Sequence, residues 1–156
     1  MTQILSSPIL RLDQSWAYKV TVLADLLARR VTAIVQEASG LNLSQWRVLA
    51  AIGDQPGRTA SEVVKITPMD KGIVSRGVTS LAQKELITRR ASETDGRLSH
   101  LYLTETGEAI YQAIVEKLHR AGLIDVGLLT EGETESLLEL LQQAIQASRE
   151  RDEPRL

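Results

Sequence analysis

The chain has 156 residues, 43% hydrophobic and 24% charged, with no cysteine. That is one domain's worth of soluble globular sequence, and disulfides, thiolate metal sites, iron–sulfur clusters, cysteine nucleophiles and thiol redox sensing are excluded. The net charge of -2 hides an asymmetry: residues 1–57 carry 5 basic and 4 acidic side chains, residues 58–100 carry 8 and 5, and residues 104–156 carry 5 and 11, so a basic middle segment suited to a polyanion lies inside an acidic chain. In chain order, the first predicted element is a long helix over residues 13–39. Its apolar stripe is Trp16, Val20, Leu23, Leu27, Val31, Ile34 and Val35 at three- and four-residue steps, and Gly40 stops it. A second helix is capped by Ser44, with Leu43 and Val48 as a hydrophobic staple. It buries Trp46, Leu49 and Ile52 and closes over 53–57 with a Pro-Gly turn. A third, short helix opens on the capping-box spacing of Thr59 and Glu62 and buries Val63, Val64 and Ile66.

Thr67 and Pro68 read as cap and first position of a fourth helix, over roughly 68–84. Val74, Val78 and Leu81 fall within about 60° of one another and mark its core side. The opposite face, Gly72, Ser75, Arg76, Thr79 and Gln83, is small, polar or cationic with no acidic member, while Asp70 near the start suits the helix dipole. The period then changes to that of strands at 86–91 and 98–103, joined by a turn containing Asp95 and Gly96. The result is a hairpin with Arg89 and Arg90 on its first strand and Arg97 at its tip. Thr104 caps a fifth helix carrying Ala109, Ile110, Ala113, Ile114 and Leu118, weakened at Gly122 and Gly127. Thr130 and Glu133 open a sixth, with Leu137, Leu138, Leu140, Leu141, Ala144 and Ile145 on a wide apolar face and a charged, frayed tail from Ser148.

The predicted fold is mainly α with a small β-hairpin wing: a winged helix-turn-helix with long N- and C-terminal helices. Its single domain divides into a winged-helix lobe at about 41–104 and flanking helices at about 10–40 and 105–150. A polar-faced helix suits the major groove of double-stranded DNA. A hairpin beside it can lay arginine into the narrow, electronegative minor groove. The bland alternatives are a solvated bundle face and a charged hairpin that guards a sheet edge.

These residues resemble the MarR family of transcriptional regulators. The resemblance rests on Leu43-Ser44, Trp46-Arg47 and Leu49, on Val74-Ser75-Arg76, on Leu81, and on Leu86-Ile87-Thr88-Arg89-Arg90. It continues through Asp95-x-Arg97 and Leu103-Thr104-x-x-Gly107, whose order and spacing are its most specific part. The resemblance implies that Asp95 braces Arg97 in the minor groove, with Asp95 also free to hold its own turn. It implies major-groove contacts from the outer face of the fourth helix, including Lys71, Gly72, Ser75, Arg76, Thr79 and Gln83, with Arg89 and Arg90 on the backbone. Glu85 departs from the glycine the family often has before the first wing strand.

The resemblance further implies a homodimer built from the first and last helices, with its two recognition helices about 34 Å apart on a pseudo-palindromic operator. It implies repression, relieved by a small phenol or aromatic carboxylate for which Trp16, Arg47 and His100 are the candidate contacts. Both tryptophans suit the core or an interface better than a ligand platform. With His100 and His119 the only histidines, a metal site would have to recruit several carboxylates. No metal, cofactor or enzymatic activity is expected. No apolar run reaches the ~20 residues of a membrane span, and the N-terminal residues lack the pattern of a secretory signal, which predicts a cytoplasmic protein. A dimeric winged-helix protein-interaction module without DNA binding is the alternative reading.

Overall fold

The computed structural model describes residues 11–92, 95, 98–124, 127 and 129–152. It divides into two compact units, with the boundary between Leu118 and His119. The first described element of the first unit is a single 3-10 turn at Leu12–Gln14, followed by α1 at Trp16–Ser39. The helix starts later than the spacing predicts because Ser15, whose Oγ accepts the Tyr18 N–H at 3.3 Å, takes the cap. Gly40 ends it in the left-handed region at φ 69°.

The second helix, α2 at Leu43–Asp54, is capped by Asn42 rather than Ser44. Asn42 Oδ1 accepts the Gln45 N–H and Gln45 Oε1 accepts the Asn42 N–H, each at 2.9 Å, so two otherwise free donors are satisfied reciprocally. Trp46, Leu49 and Ile52 are buried, as their spacing predicts. In α3, Ala60–Ile66, the capping box of Thr59 and Glu62 forms, but Ile66 points outward. Thr67 then belongs to the end of α3, donating its hydroxyl to Val63 O at 2.7 Å, and does not cap the next helix.

The fourth helix, α4 at Lys71–Gln83, instead takes its cap from Asp70, whose Oδ1 accepts the Ile73 N–H at 2.7 Å. Strands β1 (Ile87–Ala91) and β2 (Ser99–Leu103) pair antiparallel, with Ile87 opposite Leu103, Arg89 opposite Leu101 and Arg90 opposite His100. Gly96, half of the predicted turn, lies outside the described residues. The fifth helix, α5 at Glu105–Arg120, starts from Thr104, whose Oγ1 accepts the Gly107 N–H and donates to Glu85 O. Its buried side is Gly107, Ile114 and Leu118, while Ala109 and Ala113 face out. Gly107 is required by packing: a Cβ there would lie 1.9 Å from Leu86 O.

Val35, Leu41, Trp46, Leu49, Ile52, Val63, Val74, Leu81, Leu101 and Ile114 form the centre of this unit, where aliphatic burial is the main stabilising term. Trp46 stacks on Tyr111 with ring centroids 5.9 Å apart, and Lys117 Nζ meets Glu37 Oε1 at 2.9 Å. In the second unit, Thr130 and Glu133 cap α6, Glu131–Asp152. The helix runs on past Ser148, where fraying is predicted, supported by a 2.9 Å bond from Gln146 to Glu150. Leu138, Leu140, Leu141 and Ile145 are exposed. Among the described residues no helix is long and apolar enough to cross a membrane.

Candidate nucleic-acid interface

Two opposed faces define α4. Val74, Gly77, Val78 and Leu81 are buried, so the helix cannot rotate without exposing them. Gly72, Ser75, Arg76, Thr79 and Gln83 are exposed on the other side, as predicted, and Lys71 is exposed at the helix start. The helix is braced from behind by α2, where Gln45 Nε2 donates to Ser80 Oγ at 2.7 Å.

Among the described residues, the turn from α4 into the hairpin is the one place where a residue other than glycine has a positive φ, Glu85 at 57°. The Glu85 N–H reaches Ala82 O and the Leu86 N–H reaches Leu81 O, both at 3.0 Å. This is a Schellman closure with Glu85 in the left-handed position that favours glycine. The departure at Glu85 therefore keeps the turn and strains its backbone.

Strand alternation gives the two arginines of β1 different surroundings. Arg89 shares a face with Ile87, Leu101 and Ser99, which packs toward α3 and α4; Arg90 shares the other face with Thr88, His100 and Tyr102. On the first face lies a cleft of about 450 Å³, lined by Lys65, Lys71 and Arg89, by the hydroxyls of Thr59, Ser61, Ser75 and Ser99, and by an apolar floor that includes Val74, Val78 and Leu101. Among the described residues no acidic side chain lines it, so three cations face it without a lining carboxylate.

The hairpin is fixed to the turn between α2 and α3. Gly57, at φ 90°, donates its N–H to Leu101 O at 2.8 Å, and Leu101 returns its own to Arg58 O at 3.0 Å. His100 Nδ1 lies 2.7 Å from Gly57 O; a carbonyl only accepts, so this nitrogen carries the proton. Arg58 holds the same turn from within: its guanidinium meets Ala51 O and Asp54 Oδ2, both at 2.6 Å, with the side chain 13% exposed.

At the hairpin tip, Asp95 O accepts the Leu98 N–H at 2.9 Å, while Arg97 lies outside the described residues. The candidate ligand contacts are less unified. Trp16 sits at the start of α1 and is 63% exposed, Arg47 is half-buried on α2, and His100 is committed to Gly57. None of the three lines the cleft. Three residues of this region carry little or no sequence signal of their own. They are Lys65, placed at the cleft by the α3–α4 approach; Tyr102, which reads as an ordinary strand residue; and Arg58, whose only clue is its four-residue spacing from Asp54.

The family model described as MarR family matches residues 39–98. The HTH-type transcriptional regulator MhqR of Bacillus subtilis is 32% identical over 107 residues, 66% of this chain and 71% of that protein. The chain belongs to the MarR family. Another MarR-like relative by sequence, the HTH-type transcriptional repressor NicR of Pseudomonas putida, is 28% identical over 120 residues, 75% of this chain and 76% of its own. The crystal structure of a MepR–DNA complex from S. aureus matches at a TM-score of 0.70 and 20% identity, covering 85% of this chain and 98% of that one. The winged-helix arrangement of α2, α3, α4 and the hairpin is thus the MarR fold.

Proposed function

We propose that this MarR-family regulator binds double-stranded DNA as a homodimer and represses transcription from a pseudo-palindromic operator. One observation carries the reading. The exposed face of α4 has no acidic side chain between Lys71 and Gln83 and lies beside the positively charged cleft and Arg89. Such a helix presents hydroxyls, an amide and a guanidinium to base edges while its buried side fixes the angle of entry. The DNA complex of MepR and the repressor NicR support the same assignment. Lys71, Gly72, Ser75, Arg76, Thr79 and Gln83 are assigned to the major groove, Arg89 and Arg90 to the backbone, and Arg97 to the minor groove with Asp95 bracing it.

Selection from random duplexes followed by mobility-shift titration tests this directly. It should return two half-sites about one helical turn apart, with affinity that falls as salt rises. Substitutions at Ser75 or Arg76 should change the selected sequence, whereas Arg89→Gln should weaken all sequences alike. A chain that dimerises but shows no salt-dependent DNA binding would instead be a protein-interaction module.

A second reading, release by a small aromatic acid, is favoured by the cleft, which combines three cations with an apolar floor. An anion held there would compete with DNA for Lys71, Ser75 and Arg89. Titration with aromatic carboxylates during operator binding, in the parent, Arg89→Ala and Arg47→Ala, distinguishes the cleft from the alternative set of Trp16, Arg47 and His100.

A further inference from the structure

On the hairpin face turned from the cleft, the Arg90 guanidinium carbon lies 4.4 Å from the centroid of the Tyr102 ring. The two residues are diagonal neighbours, since Arg90 pairs with His100 and Tyr102 with Thr88, a separation that long and aromatic side chains can bridge. The ring is itself held. A Cβ on Gly57 would lie 3.2 Å from the Tyr102 hydroxyl, so the ring packs against the turn where glycine leaves room. The same turn is tied to β2 through the Gly57, His100 and Leu101 hydrogen bonds.

From this arrangement we infer that Tyr102 is a positioning residue for DNA binding, which fixes the Arg90 guanidinium for contact with a backbone phosphate. An exposed arginine ordinarily loses rotamer freedom when it docks, a cost set against each contact it makes. A guanidinium already stacked on an anchored ring loses less, and the stack leaves its edge N–H groups directed to the side, where a phosphate takes two of them. Tyr102 acts through Arg90 and touches no DNA itself. The inference rests on the DNA-binding reading and adds the residue that prepares one of its contacts.

The test is a double-mutant cycle on the full-length protein and its selected operator, read as affinity across a salt series. Tyr102→Leu should weaken binding by ~2–5-fold, the strength of an exposed cation–π contact. It should also flatten the slope of log K against log salt by up to ~0.9, the share of one phosphate. Tyr102→Phe, which keeps the ring, should regain most of both. In an Arg90→Gln background, Tyr102→Leu should add nothing. Thermal unfolding of each variant confirms that the comparison is made between folded proteins. Full additivity of the two losses, or a Tyr102→Leu variant with the parental salt slope, would overturn the inference. If the parent protein itself shows no salt-dependent binding, the DNA-binding reading fails first and this inference falls with it.

Discussion

Glu85 illustrates how much depends on a single backbone angle. Its φ of 57° belongs to the left-handed region, which costs a side-chain-bearing residue roughly 1–2 kcal/mol and glycine almost nothing. Part of that gain is offset by the larger chain entropy of glycine in the unfolded state. Glu85→Gly should therefore stabilise the protein by about 0.5–1 kcal/mol in urea unfolding, with the helix-to-hairpin turn unchanged. A destabilised variant would mean that the Glu85 side chain contributes more than its backbone strain. The converse applies at Gly107. A methyl there would meet Leu86 O at 1.9 Å, and the obstacle is backbone, which yields poorly. Gly107→Ala should destabilise by ~3 kcal/mol, at the upper end of overpacking costs. The identity of Gly107 is visible in the sequence, but its reason is not, because Leu86 is 21 positions away. At the tip of the wing, Arg97→Ala should weaken operator binding by ~1–3 kcal/mol if the arginine enters the minor groove. Unchanged affinity would remove it from the interface.

Among the elements, α3 and α6 share a device. In each, a threonine N–H and hydroxyl both donate to one carboxylate oxygen three residues on, at 2.7 and 2.9 Å for Thr59 and Glu62 and at 2.8 Å for both bonds of Thr130 and Glu133. The backbone N–H first, and then the hydroxyl, hold both carboxyls below their ordinary titration range. A carboxyl whose folded pKa lies below its unfolded value contributes stability that is complete above the unfolded value. That contribution is lost as pH falls through the folded one. Stability measured by urea unfolding should thus decline through the acidic side of the carboxylate range. The decline should be shallower in a Glu62→Gln, Glu133→Gln variant, where the amide oxygen still accepts but does not titrate. Identical profiles would dissociate the caps from the acid response. Caps were also where sequence spacing was least decisive. Ser44 and Thr67 are chemically competent caps, but Asn42 and Asp70 won because the chain enters α2 and α4 from those positions. Local composition lists the candidates; the direction of entry chooses among them.

For the whole molecule, the unburied apolar surface is the main clue to assembly. Trp16, Val20, Leu23 and Leu27, the N-terminal part of the predicted stripe of α1, are all exposed in the single chain. Tyr18, Val22 and Leu26 expose a second side of the same helix, so its N-terminal half is apolar over more of its circumference than one stripe requires. Covering a Leu-sized side chain is worth ~1.5–3 kcal/mol, and in a two-fold interface each substitution counts twice. Leu23→Glu should consequently shift sedimentation from dimer toward monomer and weaken operator binding in parallel. A dimer that persists with parental affinity would place the interface elsewhere. In the proposed homodimer the two half-sites are bound together, so loss of the dimer should cost far more affinity than loss of any one contact.

The elements, their order, the buried side of α4 and its polar outer face were legible in the sequence, because helical and strand periods are local properties written in neighbouring residues. The hairpin was legible for the same reason, with strands found within one residue of their predicted starts. What distinguishes Arg89 from Arg90 required the tertiary structure. Adjacent residues on a strand face opposite ways, and only packing determines which face meets α3 and α4. The cleft with Lys65 and the ring of Tyr102 beneath Arg90 belong to that same class. Each joins residues far apart in the chain, through contacts that no local pattern records.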